Sequence, residues 1–115
     1  MQKAMPAVKD ASHLYPVADR TTHLKRDDIR IQEITLTSDQ KVPWHYHSHI
    51  RDTFLVLAGE VTLHLQDPKE SISLSRGDSF PVEVGRPHLV ANGGQGTARF
   101  LVLQGVGEYD YVPLV

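Results

Sequence analysis

At 115 residues the chain is one domain, large enough to bury about two-thirds of its unfolded surface without staples. Twelve basic and 14 acidic residues, mixed along the chain for a net charge of −2, form no basic patch for nucleic acid, and no run approaches the roughly 20 apolar residues of a membrane span. The absence of cysteine excludes disulfides, thiolate metal sites and a cysteine nucleophile.

Residues 1 to 28 show no sustained period. Pro6, Pro16 and the polar Thr21-Thr22-His23 read as an irregular N-terminal arm, packed outside a sheet or on a second subunit. No apolar segment follows Met1-Gln2-Lys3, so the expectation is a cytoplasmic protein without a secretory signal. From Ile29 the pattern becomes strand-like: Ile29 and Ile31, then Ile34 and Leu36, with a phase slip at Gln32-Glu33 that reads as a bulge. Ser38-Asp39-Gln40 is a turn. Pro43 to Ser48 and the run Phe54-Leu55-Val56-Leu57-Ala58 are strands, and Gly59-Glu60 is a hairpin corner into the alternating Val61 to Gln66. Asp67-Pro68 turns into a short strand at Ile72 and Leu74, and Arg76-Gly77-Asp78 ends it. Phe80 to Val84 is extended, Gly85-Arg86-Pro87 is a tight turn, and His88 to Asn92 is a strand. Gly93 to Gly96 is a flexible loop, Ala98 to Gln104 a strong strand, and Tyr109 to Val112 a possible edge. Many short strands and no helical period make the fold all-β, a sandwich or barrel.

The chemistry concentrates at His45 and His47. On a strand they face the same way, their Cα atoms about 6.6 Å apart, so both imidazoles can converge on one ion. Asp52 offers a carboxylate nearby, and two histidines with a carboxylate suit non-haem iron and related divalent metals. His88, directly after the Gly85-Arg86-Pro87 turn, supplies a partner from a second segment.

Two gapped patterns now stand out. His45-x-His47, Asp52 and Gly59 form one; Gly77, Gly85, His88 and Asn92 form the other. Together, over residues 39 to 92, they resemble the two motifs of the cupins, small double-stranded β-helix (jelly-roll) barrels. Asp39 stands where the first motif opens with glycine, Glu83 where the second has proline, and Asp52 where the family has glutamate. The resemblance implies a barrel over residues 29–115 behind the 1–28 arm. It also implies one divalent transition metal (Fe, Mn, Ni, Zn or Cu) held by His45, His47, Asp52 and His88. The Asp52 carboxylate, one methylene short, either ligates directly or stands behind a three-histidine site.

Other residues carry two readings. His49 lines the mouth or is solvated, and His64 lines the cavity or sits outside. Arg86 holds a substrate carboxylate or is an ordinary turn arginine. Trp44 and Tyr46 pack outward, Phe54, Val56 and Val90 wall the cavity, and Asn92 secures barrel hydrogen bonds. The function this resemblance implies is a mononuclear metal-dependent enzyme of oxygenase type, such as a dioxygenase, on a small oxygenated organic substrate. The alternatives are a ligand-binding or sensor barrel and an isomerase, decarboxylase or lyase. A homodimer is the expected assembly, with no nucleic-acid or membrane partner.

Overall fold

The computed structural model describes residues 2–115. Alternation of apolar and polar residues carries through into ten strands: β1 (Asp19–Lys25), β2 (Ile29–Leu36), β3 (Lys41–Tyr46), β4 (Arg51–Ala58), β5 (Glu60–Leu65), β6 (Glu70–Ser75), β7 (Ser79–Val82), β8 (His88–Asn92), β9 (Ala98–Gly105) and β10 (Val112–Pro113). They form two antiparallel sheets of five, ordered β1-β2-β9-β4-β7 and β10-β3-β8-β5-β6. The described residues contain no helix long and apolar enough to cross a membrane. The all-β reading holds.

The register places the site. On the inner face of the first sheet, Leu36 pairs with Ala98, and Ile34 with Phe100 and Val56. One step along, Gln32 pairs with Val102 and Phe54; the next row is Arg30, Gln104 and Asp52. Each strand thus runs from apolar to polar toward the same end. At the apolar end Leu36, Val56, Val61, Leu63, Ala98 and Phe100 are at most 1 % exposed, and burying each larger side chain contributes about 1.5–3 kcal/mol. The polar end cannot close as core, so it opens as a cavity.

Three expectations change. The supposedly irregular arm contains β1, paired with β2; its outward residues are so polar that no apolar period shows. The arm also joins the barrel's end through isolated bridges from Ala4 to Leu114 and Val8 to Tyr111. Strand β2 has no bulge at Gln32-Glu33, since it pairs with β9 without a break from Ile29 to Leu36. The apparent slip is Arg30 and Gln32 occupying inner positions, while the bulge lies in β1 between Thr22 and Leu24. Finally, Gly59 is no hairpin: β4 and β5 belong to different sheets, and the chain crosses from one to the other there.

That crossing needs glycine. Gly59 has φ of +73°, and a Cβ at this position would run into the carbonyl of Thr97. Gly59→Ala is therefore expected to cost about 3 kcal/mol, left-handed strain and overpacking together. Urea denaturation measures it, and a loss below about 1 kcal/mol would contradict the close approach.

Candidate metal centre

His45 on β3 and His88 on β8 are direct cross-strand partners, with ring centroids 4.2 Å apart. Asp52 faces them from β4 of the opposite sheet. His47 lies one residue beyond β3, where the chain leaves the sheet, and its carbonyl accepts the Gly85 N–H at 2.8 Å. The turn glycine before His88 thus also fixes the backbone of His47. All four residues are buried, and one donor atom from each lies within 4.8 Å of the others.

The second nitrogen of each ring is spent. Nδ1 of His45 donates to the Pro43 carbonyl at 2.8 Å, and Nδ1 of His88 to that of Arg86 at 2.9 Å. Nδ1 of His47 donates to the carbonyl of Asp110. A carbonyl only accepts, so each Nδ1 carries the proton and each neutral ring presents an Nε2 lone pair. Those of His47 and His88 stand 2.8 and 2.9 Å from Oδ2 of Asp52, with that of His45 at 4.0 Å. Lone pairs facing a carboxylate oxygen repel unless a cation intervenes. A proton relieves one pair; a metal ion relieves all four atoms together. The donor set therefore fits a divalent cation, and the shorter Asp52 side chain reaches the common point. Gln104 Nε2 donates to the other oxygen, Oδ1, at 3.1 Å and orients the carboxylate.

Residues 32–109 match the family model of the cupin domain. The chain is a cupin. No curated protein matches it. Among solved structures, the barrel is similar to a conserved double-stranded β-helix protein of Klebsiella pneumoniae, at 24% identity over 81% of this chain and 80% of that one, with a TM-score of 0.72. It is similar also to TT1209 of Thermus thermophilus, at 21% identity, 86% and 96% coverage and a TM-score of 0.71. An oxalate oxidase shares the fold at 17% identity and a TM-score of 0.68, over 75% of this cupin and 46% of that longer chain.

The remaining candidates in this cupin sort cleanly. His49 is exposed and solvated. His64 lies on the outer face, bonded to Ser71. Arg86 binds the carbonyls of Gln66 and Pro68 and the Glu70 carboxylate, so it clamps its turn. Asn92 ties Leu36 to Gly96 through its amide, as a barrel fastener. Phe54 and Val90 line the cavity, whereas Val56 lies deeper in the core.

Sequence reasoning missed the tyrosines. Tyr111 stacks on His45 with centroids 4.2 Å apart and planes 14° apart, and Tyr15 from the arm stacks on Tyr111 in turn. Tyr109 lies 5.4 Å from His47. Between them Asp110 receives the His47 proton on its carbonyl and the Ser48 N–H on its carboxylate. The C-terminal Tyr-Asp-Tyr is therefore part of the site, not merely an edge. Its signal was alternation, two aromatics pointing one way around a polar residue. With Gln32, Val102 and Gln104 these tyrosines enclose a cavity of about 30 Å³, room for little beyond an ion and a water.

Burial and electrostatics set the protons. Burial, aided by the neighbouring rings of His88 and His47, holds His45 well below the usual histidine range, so it stays neutral. Burial also pulls His47 down, but the charge and hydrogen bond of Asp52 outweigh it and leave His47 raised. For Asp52 burial pushes upward, and the attraction and hydrogen bond of His47 prevail, holding its carboxyl well below the usual range. These opposed shifts favour a proton held between His47 and Asp52 in the metal-free site. Metal uptake must expel it, so affinity rises with pH until the raised His47 value is passed and then levels. Titration calorimetry with Zn²⁺ at pH 6.5, in buffers of different protonation enthalpy, should report release of about one proton; no release would contradict this pairing.

Proposed function

We propose that this cupin is a mononuclear metal-dependent enzyme of oxygenase type, acting on a small oxygenated organic substrate, with His45, His47, Asp52 and His88 as ligands. The observation that carries the reading is the convergence of three Nε2 atoms and one carboxylate oxygen whose other partners are already spent. When bound, the ion supplies Lewis-acid and redox chemistry, and four protein ligands leave positions open for small molecules. The chain's own residues do the rest. Phe54, Val90 and Val102 exclude water. Burial pushes the phenols of Tyr109 and Tyr111 far above their usual range, so both keep their protons at neutral pH. The Tyr111 hydroxyl, buried and without a protein partner, is free to donate to a bound substrate.

The test is oxygen consumption by iron-loaded protein over diketones, catechols and hydroxy acids. Uptake that requires both metal and one substrate class is the expected result. The small cavity favours a second reading, a ligand-binding barrel; silence across the whole series with metal bound stoichiometrically would establish that reading instead. We also propose a homodimer, supported by the apolar outer groove of Met5, Leu14, Trp44 and Val115, three of which are over 40 % exposed. Sedimentation would show twice the 12.9 kDa chain mass, and a single 12.9 kDa species would refute it.

A further inference from the structure

Two arginines stand behind tyrosines of the cavity lining and make no ion pair there. Arg30 shares the inner row of Gln104 and Asp52, and its guanidinium lies 3.9 Å from the centroid of the Tyr109 ring. Arg20, on β1, lies over the Tyr15 ring at 5.2 Å. Two aromatic ladders therefore lead outward from the site, His47–Tyr109–Arg30 and His45–Tyr111–Tyr15–Arg20. Among the described residues neither arginine makes an ion pair, although His23, Arg51, Arg86 and Arg99 all do. Asp10 senses the Arg30 charge, yet its carboxylate is bonded to Ser12.

The unspent hydrogen-bonding capacity gathers here. Nε and Nη2 of Arg20, Nε of Arg30, the Tyr111 hydroxyl and Oε1 of Gln104 are buried without a partner; Gln2 supplies the only other such atom among the described residues. Both arginines are half-buried, and a guanidinium N–H sealed from water without an acceptor is costly. Stacking on a tyrosine occupies the face of the guanidinium and leaves its in-plane N–H groups unused. The surplus is in donors, and it is positive. A ligand that answers it must accept hydrogen bonds and carry negative charge.

We infer that the site takes a small carboxylate, with Arg20 and Arg30 receiving its carboxylate group from behind the tyrosine wall of the cavity. This deepens the metal-dependent reading, since a divalent ion with only Asp52 to offset it adds to the same positive field. A planar carboxylate matches the guanidinium fork, and the small cavity limits the rest of the molecule to a few atoms. The tyrosines that stack on the arginines separate them from the metal site, so Tyr15 and Tyr109 must shift for the ligand to reach both.

Calorimetric binding of acetate, pyruvate and malonate, each against its neutral amide, tests this on metal-free and metal-loaded protein. The expected result is that carboxylates bind and amides do not, with binding weakened by salt. Arg30→Gln and Arg20→Gln should each lose about tenfold or more in affinity while the outer-face control Arg99→Gln is unchanged. Should a glutamine variant unfold, Arg30→Lys, which keeps the charge but not the fork, replaces it and should show an intermediate loss. Metal content is measured in every sample. Metal retained with carboxylate binding lost in the arginine variants supports the inference. Carboxylate binding without any metal uptake keeps the anion site and overturns the metal reading. Equal binding of acids and amides, or arginine variants that bind like the parent, would overturn the anion site itself.

Discussion

His88→Ala is expected to abolish stoichiometric metal uptake. His88 is the one proposed ligand contributed from β8, directly opposite His45, and without it the remaining donors no longer surround a point. The loss should exceed the 10–100-fold that removing a hydrogen-bonding neighbour of a ligand costs. Thermal melts give a second readout. Metal at 100 times its Kd stabilises the parent by about 2.7 kcal/mol, an upward shift on the order of 10 °C, and this shift should vanish in the variant. His64→Ala, on the outer face, should leave both readouts unchanged. A variant that still binds one equivalent of metal with parental affinity would remove His88 from the ligand set.

Asp52→Ala carries the largest stability penalty expected of any site substitution. Asp52 is 2 % exposed and joins His47, His88 and Gln104, so its removal breaks a buried charge pair and strands their polar groups. Losing one partner of such a pair costs on the order of 3 kcal/mol. The pH dependence has a definite sign. Because the folded carboxyl is held below its unfolded value, its contribution is fully present above about pH 4 and fades as acid protonates the folded form. Urea denaturation of metal-free parent and variant should show a gap at pH 7 that narrows toward pH 2. A gap that stays constant would mean that the carboxylate charge plays no part. Asp52→Glu, the residue the family has here, should keep metal binding.

The fold was legible because nearly every strand alternates, and the two gapped motifs fell in register along the chain. The histidines were legible for the same reason: an i, i+2 pair on a strand shares a face whatever the rest of the fold does. Two kinds of feature escaped. Arg30 and Gln32 looked like a defect in β2, because an inner-face strand that turns polar at a cavity breaks the apolar count without breaking the register. Periodicity alone cannot tell a bulge from a functional surface. The contributions of Tyr15, Tyr109, Tyr111 and Gln104 escaped because they come from distant segments that only the tertiary fold brings together. No local pattern records that Asp110, 63 residues away, offers its carbonyl to His47. The reach of Asp52 likewise depended on how closely the two sheets approach, a distance no spacing in the sequence encodes.

The account stands or falls on the ion. Protein purified without chelator should be crystallised and an anomalous-scattering map collected at the absorption edge of the metal found by elemental analysis. The account predicts one peak per chain, about 2.0–2.2 Å from Nε2 of His45, His47 and His88 and from a carboxylate oxygen of Asp52. A map without a peak there, with Asp52 bonded directly to His47 and only traces of metal in solution, would contradict it.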